Sequence, residues 1–453
     1  MKRIRIGNGC GFWGDNLDAP ARLVREGRLD YLTLEYLAEL TMSILAIQKQ
    51  KNPALGYATD FLDVLRSLAP LLRQQPQLKI VTNAGGMNPH GCAHAARDIL
   101  RQHDLDDWRI AVVRGDDLMP RLDELLAEGH LLHHLDTGEP LTTLRERVVS
   151  ANVYLGAKPI VEALKQGARL VITGRVADVS LTVGPAVYEF GWGFGAADLD
   201  RLAAATVAGH LIECGAQVTG GLWINATEQT RLAEVGYPIA EIAEDGTFVI
   251  TKPAGSGGAV NWETVSEQLL YEVGNPRAYY TPDVVADFTA VTLEEREPDV
   301  VALRGACGVT VTDTYKVSVA YRDGYMAAGT LVIVGPDAIS KARMSGQILL
   351  ERLRHAGWTY ERSYVEVLGA GDAVPGVGVR SGEPPEVVLR VAVHDSRREA
   401  VERFTREFAP LVTSGFAGTT GYTTGRPPVR EVLSFWPALI AKSAVTPQVE
   451  LLP

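Results

Sequence analysis

The feature that most constrains the fold of this chain is an alternation of short apolar runs with helix-like segments, which extends to about residue 285. Residues 2–7 (KRIRIG), 78–82 (LKIVT) and 169–173 (RLVIT) are predicted strands, whereas residues 92–102 are a predicted helix. Strands that alternate with helices in this way are typical of a mainly parallel sheet with helices on both faces. We therefore predict an α/β domain that covers residues 1–287 and carries the active-site cleft.

The last third of the chain has a different pattern. The segments Tyr315–Tyr321 and Tyr325–Val334 flank an Arg-Asp-Gly turn, which predicts an antiparallel hairpin. A long helix is predicted at Asp337–Arg354, and the Gly/Thr-rich segment 415–428 is predicted to be a lid. Residues 288–453 are therefore predicted to form a second, smaller α+β domain.

The composition excludes several classes of function. The formal net charge is −11 and the pI is about 5.4, so nucleic acid and anionic membranes are not expected partners. No apolar run reaches the roughly 18 residues that a membrane-spanning helix needs. The cysteines lie far apart and include no Cys-x-x-Cys pair, which is typical of reduced thiols in the cytoplasm. We therefore expect a cytoplasmic protein.

A glycine pattern near the N-terminus has the spacing of a dinucleotide-binding fingerprint. Gly9–Gly14 follows a predicted strand as G-x-G-x-x-G, and Glu35 lies about 20 residues further on. Phe12 and Trp13 are bulky, however, where the backbone must approach a pyrophosphate, and Asp15 would repel its charge. We therefore predict a tight strand-to-loop turn here, and no nicotinamide or flavin cofactor.

The segment TNAGGMNPHGCAHAA (82–96) places polar and flexible residues at the carboxyl end of a predicted strand. Ligands bind at this end in open α/β sheets. The candidate substrate-binding residues are Asn83, Gly85, Gly86 and Asn88. The alternative is a structural turn in which Asn88 caps the following helix.

His90, Cys92 and His94 in the same segment suggest a metal site. Side chains at positions i, i+2 and i+4 of a helix do not all share one face, and no distant carboxylate is obviously paired with these three. We therefore predict that they are residues of the first helical turn and that the protein has no metal site.

The segment VITGRVADVS (171–180) sets Arg175 and Asp178 three residues apart, directly after a predicted strand that ends at Thr173 and Gly174. A helix is expected to begin within the next few residues, and its free N–H groups, strengthened by Arg175, would bind an anion. The alternative is an exposed Arg–Asp pair, which stabilises a helix by about 0.2–0.5 kcal/mol. We favour a ligand-binding function, with Thr173 and Gly174 among the substrate-binding residues, because the carboxyl end of a strand in an α/β sheet usually faces the ligand.

The segment HLIECGAQVTGG (210–221) carries Glu213 and Cys214 among apolar neighbours. A carboxyl group in such surroundings either pairs or has its pKa raised, and a raised pKa suits a general acid or base. The alternative for Glu213 is a purely structural cap or ion pair. A nucleophilic role for Cys214 lacks an identifiable His or Asn partner. Glu213 is therefore a predicted proton carrier, together with Asp178.

The segment TKPAGSGGAVNWETVSEQLL (251–270) is predicted to be a strand, a glycine-rich loop and a helix. Its backbone amides and lysine are predicted to hold a carboxylate or a phosphate. The candidate residues are Lys252, Gly255, Ser256, Gly257 and Gly258. Because segments 83–90, 173–178 and 255–258 each follow the carboxyl end of a strand, we expect all three to open on one cleft.

Taken together, these segments resemble the acyclic terpene utilisation (AtuA) family. The blocks that carry the resemblance run in the family's order from about residue 5 to 325. They are NAGGMNP, TGRVAD with EFGW, IECGAQVTGG, the TKPxGxGG loop with EQLLYEVGNP, TPDVVADF and DTYKVS. This chain has Ala254 and Ser256 where the family's loop has Pro and Thr, and neither change removes a backbone amide.

The resemblance implies a role in the bacterial breakdown of branched isoprenoid acids such as citronellate, by an acyl-CoA route. Similar proteins carry a small ferredoxin-like domain or are encoded beside one. We therefore expect the second domain to be ferredoxin-like, and we expect a homo-oligomer and a small ferredoxin-like partner subunit.

The predicted reaction is proton abstraction beside the carbonyl of a small carboxylate or its acyl-CoA thioester, in a hydro-lyase or an isomerase. Arg175 and the 255–258 loop would fix the anionic groups, and Glu213 or Asp178 would move the proton. Asn83 and Asn88 would hydrogen-bond the substrate oxygen. No cofactor is predicted, and CoA would enter only as part of the substrate. The competing interpretation is a non-catalytic acyl-binding or scaffold subunit of a heteromeric complex.

Overall fold

The computed structural model describes residues 1–377, 382, 384–421 and 425–452. Within these residues the chain forms nineteen strands and twelve α-helices. The strands are β1 (Arg3–Asn8), β2 (Tyr31–Leu34), β3 (Lys79–Thr82), β4 (Ile110–Arg114), β5 (Val148–Val153), β6 (Leu170–Thr173), β7 (Ile239–Ala243), β8 (Phe248–Thr251), β9 (Tyr279–Tyr280), β10 (Val285–Asp287), β11 (Thr292–Glu297), β12 (Val300–Arg304), β13 (Cys307–Val309), β14 (Thr314–Val334), β15 (Arg362–Leu368), β16 (Glu386–Asp395), β17 (Thr419–Thr420), β18 (Arg430–Ala441) and β19 (Gln448–Leu451). The helices are α1 (Ala19–Gly27), α2 (Glu39–Lys51), α3 (Asp60–Leu72), α4 (Pro89–Gln102), α5 (Leu122–Ala127), α6 (Lys158–Lys165), α7 (Ser180–Phe190), α8 (Leu199–Glu213), α9 (Trp262–Leu270), α10 (Ala338–His355), α11 (Arg398–Phe404) and α12 (Phe408–Ser414).

The chain divides into two compact units. The first consists of Met1–Ala320 and Phe435–Pro453, and the second of Tyr321–Ser434. This division differs from the predicted one at 287/288. Strands β11 and β12 extend the sheet of the first unit beyond β8, and β19 returns to pair with β4. Hydrogen bonding along these strand edges therefore places residues 292–304 and the C-terminal strand in the sheet of the first unit.

A ten-stranded sheet with the order β11-β12-β8-β7-β1-β2-β3-β6-β4-β19 forms the centre of the first unit. Only the neighbouring strands β1, β2, β3, β6 and β4 run parallel to one another, and the pairs outside this group are antiparallel. The mixed α/β class is confirmed, but the parallel arrangement is confined to these five strands. The connection from β7 to β8 (residues 244–247) explains why these two strands are antiparallel. A loop this short can join antiparallel strands, whereas parallel strands need a crossover of a dozen or more residues.

The central strands are buried along their whole length. All four residues of β2 (YLTL) and of β6 (LVIT) are buried. Because successive side chains of a strand point to opposite faces, complete burial requires cover on both faces of the sheet. Helix α7 packs against β2, and helices α4 and α6 pack against β6. The loops that leave the carboxyl ends of these parallel strands share one edge, where ligands bind in such sheets.

The second unit contains residues 321–334 of β14, which form an antiparallel sheet with β15, β16 and β17, and the helices α10, α11 and α12. Strand β16 pairs with residues 325–334 of β14 in an unbroken register. The hydrophobic core of the second unit includes Leu331, Leu349, Leu389, Phe404 and Phe408. This agrees with the α+β class that the sequence predicts for this part of the chain.

The predicted hairpin at Arg322-Asp323-Gly324 is wrong, because Thr314–Val334 is one continuous strand. Gly324 has a φ of 81°, and a Cβ atom there would lie 2.7 Å from the carbonyl oxygen of Asp395. The glycine therefore allows a close backbone approach inside the strand, which is a known use of glycine in strands, and the chain does not reverse. In the segment predicted to be a lid (415–428), β17 pairs with β14, and residues 422–424 lie outside the described residues.

Candidate active site

A cavity of about 810 Å³ lies in the first unit at the carboxyl ends of the parallel strands. Its lining includes residues that directly follow β2 and β6, among them Glu35 and Arg175. Glu213 at the end of α8, the segment 271–281 and Lys316 in β14 form other walls. The cavity therefore has the position and size of a ligand site in an α/β protein.

Arg175 is held at the centre of this site by buried contacts. Its side chain is 2% exposed, and Nη1 donates to the carbonyl oxygen of Leu37 at 2.8 Å and to Oδ1 of Asp178 at 2.6 Å. The guanidinium carbon lies 4.2 Å from the centre of the Tyr154 ring. Nε is buried without a hydrogen-bond partner. Arg175 is therefore not the exposed helix-start residue that the alternative interpretation required, because helix α7 begins only at Ser180.

The backbone of Arg175 is fixed by a second buried carboxylate. Oδ2 of Asp116 accepts the Arg175 N–H at 2.9 Å and the side-chain amide of Asn152 at 2.9 Å. A Cβ atom on Gly174 would lie 2.8 Å from Cγ of Asp116. Glycine at position 174 therefore lets the carboxylate of Asp116 approach the turn and hold it.

Glu35 lies next to Arg175 and is almost fully buried, at 4% exposure. Its Oε1 accepts hydrogen bonds from the Leu37 N–H at 2.9 Å and from the side-chain amide of Asn83, and it lies 4.0 Å from Nη1 of Arg175. Oε2 is buried without a partner. One oxygen of this carboxyl group is therefore anchored, and the other is not.

Glu213 contacts His210, whose other ring nitrogen determines the direction of their hydrogen bond. Nε2 of His210 lies 3.0 Å from the carbonyl oxygen of Gln268, and a carbonyl only accepts, so Nε2 carries a hydrogen. Burial lowers the pKa of His210 to about 4, which makes the ring neutral near pH 7 and leaves Nδ1 as an acceptor. Nδ1 lies 3.3 Å from Oε1 of Glu213. Glu213 must therefore supply the proton of this hydrogen bond.

The pKa values of three carboxyl groups in this cavity are raised. Burial is the main cause for Glu35, Asp178 and Glu213, and the charge of Asp178 adds to it for the two glutamates. The charge of Arg175 opposes the rise in all three. The side chain of Asp178 is 34% exposed, which makes it the most accessible of the three. Such groups hold and release protons closer to neutral pH than ordinary carboxyl groups do.

The carboxyl group of Glu39 in the same cavity has the opposite shift. Burial favours its neutral form, but a hydrogen bond from Tyr154 and the charges of Lys316 and Arg175 outweigh that effect and lower its pKa to about 2. Nζ of Lys316 lies 3.2 Å from Oε1 of Glu39. Glu39 is therefore a permanent anion that balances a cation, and it is not a proton carrier.

Among the predicted binding residues, Asn83 and Thr173 are fully buried and do not line the cavity. Asn83 supports it from behind, because its Oδ1 accepts the Tyr36 N–H at 2.8 Å while its amide group donates to Glu35. Gly174 is packed against Asp116 and likewise stays outside the lining. These residues support the site and do not form its surface.

Gly85, Gly86 and Asn88 also lie outside this cavity. Oδ1 of Asn88 accepts the Gly91 N–H at 3.0 Å, which is the helix cap that the alternative interpretation proposed. A Cβ atom on Gly85 would lie 2.7 Å from Cβ of Pro89, so this glycine is needed for packing. Gly86 and Asn88 line a separate cavity of about 360 Å³.

The loop that contains Lys252, Gly255, Ser256, Gly257 and Gly258 is tied to its own surroundings. Nζ of Lys252 donates to the Ser256 carbonyl at 3.0 Å and pairs with Asp299 at 2.8 Å. The amides of Gly257 and Gly258 donate to the carbonyls of residues 234 and 230. Neither this loop nor segment 83–90 lines the 810 Å³ cavity, so the structure does not bring the three predicted loops together.

Two further hypotheses concern cysteine and metal chemistry. Burial and the charge of Glu213 raise the pKa of Cys214 to about 12, which keeps it as a thiol and weakens it as a nucleophile. Cys92 is fully buried in α4, and Nε2 of His90 lies 3.2 Å from Glu450. Across the described part of the chain, no group of three His, Cys, Asp or Glu side chains could hold a metal ion.

One of the glycines near the N-terminus, Gly11, lines the same cavity. Asp15 also lines it, and Oδ2 of Asp15 accepts the Gly11 N–H at 2.8 Å. A Cβ atom on Gly11 would lie 2.7 Å from the carbonyl carbon of Cys214. This glycine therefore allows the chain to approach the end of α8, as expected of a tight turn.

The sequence did not point to Glu35, His210, Tyr154 and Lys316 as residues of the site. For Glu35 a signal existed, since an acidic residue directly follows the buried run YLTL. The other three give no such signal, because a lone His in an apolar helix and a Lys in a strand are ordinary residues. Their roles depend on contacts between distant parts of the chain.

A family model described as "Acyclic terpene utilisation family protein AtuA" matches residues 4–451. No curated protein and no solved structure matches this chain. No helix among the described residues is both long and apolar enough to cross a membrane.

Proposed function

The chain belongs to the acyclic terpene utilisation family AtuA, and we propose that it is a catabolic enzyme for a small branched carboxylate or its acyl-CoA thioester. Membership of this family implies a role in acyclic terpene utilisation. The proposed chemistry is proton transfer beside a carbonyl group, as in a hydro-lyase or an isomerase. The proposed catalytic residues are Arg175, Asp178 and Glu213.

One observation supports this proposal most. The cavity combines a buried guanidinium with three carboxyl groups of raised pKa, and three polar atoms in this cluster have no partner. They are Nε of Arg175, Oε2 of Glu35 and Oε2 of Glu213. A buried polar group without a partner costs about 1–3 kcal/mol. Groups of this kind are retained where catalysis requires them.

The proposed roles of these residues follow from their charges. Arg175 stabilises the negative charge that develops on the oxygen of the substrate carbonyl, and Glu213, which is held in the acid form by its contact with His210, is the proton donor that completes the transfer. Asp178 is the more accessible carboxyl group and exchanges protons with the bound substrate or with water.

The acidity of the cavity favours a thioester over a free acid. Asp15, Glu39 and Glu272 line it in addition to the three carboxyl groups described above, whereas its cations are Arg175 and Lys316. The thioester group itself is uncharged and avoids repulsion by these carboxyl groups, whereas a carboxylate does not, and the anionic phosphates of CoA would lie outside this acidic lining. CoA would then be part of the substrate, and the mechanism needs no other cofactor.

A substrate panel tests this proposal. The purified chain is incubated with branched free acids, their CoA thioesters and the matching 2-enoyl and 3-hydroxyacyl thioesters, and products are identified by mass spectrometry. We expect turnover of at least one thioester, and a loss of about 10²-fold or more in Asp178→Asn. Turnover that Asp178→Asn leaves unchanged would refute the role of this residue.

The competing function is a scaffold or acyl-binding subunit that acts with a small ferredoxin-like partner. We propose that the α+β unit at Tyr321–Ser434 is the chain's own ferredoxin-like domain. The two functions differ in one result. A chain that turns over no thioester by itself, but does so after its small partner subunit is added, is a scaffold.

A further inference from the structure

We propose that Glu35 is the general base of this site. This inference rests on the proposed function and deepens it, because it adds a catalytic residue at the carboxyl end of β2 and assigns acid and base to different carboxyl groups. Glu35 lines the same cavity as Arg175, Asp178 and Glu213. Its surroundings differ from those of Glu213 in a way that determines which of the two accepts a proton.

The first difference is the anchoring of one carboxyl oxygen. Oε1 of Glu35 accepts from the Leu37 N–H and from the Asn83 side chain. The amide of Asn83 cannot be turned round, because its Oδ1 accepts the Tyr36 N–H at 2.8 Å. Both neighbours of Oε1 are therefore donors, and two donors to one oxygen stabilise the ionised carboxylate.

The second difference is whether the carboxyl group of each glutamate must donate a hydrogen bond. Glu213 must donate to Nδ1 of His210, as the tautomer of that ring requires. Glu35 meets only donors at Oε1, so it needs no proton to satisfy its hydrogen bonds. The hydrogen bonds of the cavity thus require a proton on Glu213 and require none on Glu35.

The third observation is the unpartnered Oε2 of Glu35. This atom is buried in a side chain that is only 4% exposed and belongs to the cavity lining. A carboxylate oxygen that lacks a donor in these surroundings is a strong acceptor. Nη1 of Arg175, 4.0 Å from Oε1, keeps a positive charge beside it. Burial and the nearby Asp178 also raise the pKa of this group, which makes it a stronger base.

The proposed step balances as a simple proton transfer. Oε2 of Glu35 takes the hydrogen from the carbon beside the thioester carbonyl, so a C–H bond breaks and an O–H bond forms. The electron pair of the C–H bond moves into the new C=C bond, and the carbonyl pair moves onto the oxygen. Arg175 stabilises the negative charge on that oxygen. Asn83 acts through Glu35 and is a positioning residue.

Hydrogen exchange in D₂O tests this step directly. The probe is isovaleryl-CoA, a branched saturated thioester, and mass spectrometry measures the uptake of deuterium beside its carbonyl. We expect wild-type protein to catalyse this exchange and Glu35→Gln to slow it by about 10²-fold or more. Glutamine keeps an oxygen for Leu37 and Asn83, so the KM for the probe should stay within a few-fold of its wild-type value. Asp283→Asn changes a buried carboxyl group outside the cavity lining and should leave exchange within about threefold.

The outcomes separate this inference from the proposed function. Exchange that persists in Glu35→Gln overturns the assignment of Glu35 and leaves the proposed function in place. A wild-type protein that exchanges no hydrogen overturns the proton-abstraction function and the assignment with it. Loss of exchange in Glu35→Gln and not in Asp283→Asn supports both.

A second variant covers the case in which Glu35→Gln does not fold. Asn83→Asp keeps the acceptor for the Tyr36 N–H but replaces the donor to Glu35 by an oxygen. The Asn83 hydrogen bond lowers the pKa of Glu35, so its loss raises that pKa. The acidic limb of the pH profile for exchange should then move to higher pH. An unmoved limb contradicts the assignment.

Discussion

Oε1 of Glu213 lies 3.3 Å from Nδ1 of His210, and the carboxyl group is the donor of that hydrogen bond. The direction follows from the Gln268 carbonyl, which occupies the other ring nitrogen. His210 is 2% exposed, so the pair lies in the interior where a missing donor is costly. The contact therefore maintains the acid form of Glu213 and also contributes to the packing of α8.

Replacing Glu213 by Gln separates these two effects. The amide of Gln can donate to Nδ1 as the protonated acid does, so the free energy of unfolding should change by less than about 1 kcal/mol. The transferable proton is lost, and turnover should fall by about 10²-fold or more. Thermal melting and thioester turnover measure the two quantities. A stable variant with normal turnover would show that Glu213 has only a structural role.

Arg175→Lys should impair both ligand binding and stability. Lysine keeps the charge but loses the planar guanidinium, whose Nη1 donates to both the Leu37 carbonyl and Asp178 while its face lies against the Tyr154 ring. We expect affinity for the thioester to fall more than tenfold, which corresponds to about 1.4 kcal/mol or more. The loss of one buried hydrogen bond to a charged group should lower the free energy of unfolding by about 1.5–3 kcal/mol. Isothermal titration and denaturant unfolding test these two numbers.

The surface pair of Arg201 and Asp198 is the matched control. It has the same three-residue separation and a similar distance of 2.7 Å, but the Arg201 side chain is 45% exposed. Arg201→Lys should change the free energy of unfolding by less than about 1 kcal/mol. If Arg175→Lys changes the free energy of unfolding as little as Arg201→Lys does, the burial of Arg175 contributes nothing to stability.

Part of this fold follows from local sequence. The runs LKIVT and RLVIT are β3 and β6, because their apolar β-branched residues fit strands buried on both faces. The reversal of the sheet to antiparallel strands beyond β1 was not predictable in this way. It depends on which strand edges pair, and edge pairing is a contact between distant residues. The single strand Thr314–Val334 was missed because Gly324 resembles a turn residue locally.

The candidate site was predictable only at its centre. Arg175, Asp178 and Glu213 line one cavity, and they were identifiable because polar residues at a strand end or in an apolar run are unusual. The glycine loop at 255–258 has a similar local composition, yet its amides at 257 and 258 meet carbonyls from the same region. Sequence shows which donors exist but not which acceptors already occupy them.

Gly174→Ala should disturb the turn that carries Arg175. The new Cβ would lie 2.8 Å from Cγ of Asp116, closer than a real carbon contact, so the carboxylate must move away from the Arg175 N–H. Overpacking of this kind costs about 1–3 kcal/mol. We expect a lower melting temperature and reduced turnover. Gly195→Ala is the control, because no atom lies within 4 Å of a Cβ at that position. Equal stability of the two variants would contradict this account.

Asp283 gives a prediction about pH. It is buried, and burial raises its pKa from 3.8 to about 6 although the Ala157 N–H donates to it at 2.7 Å. Between these two pKa values the folded state binds more protons than the unfolded state, so stability falls as the pH rises from about 4 to about 6. Above about pH 6 the stability that protonated Asp283 contributes is fully lost. The rise of this pKa from 3.8 to about 6 corresponds to about 3 kcal/mol of stability.

Asp283→Asn should remove this pH dependence. Asparagine can still accept the Ala157 N–H, and it carries no charge to bury at pH 7. The free energy of unfolding of the variant, relative to that of the wild-type protein, should therefore rise between pH 4 and pH 7 by roughly 1–3 kcal/mol. Urea unfolding at several pH values measures the difference. A difference that stays constant over this range would show that the Asp283 carboxyl group is ionised in the folded protein already at pH 4, in spite of its burial.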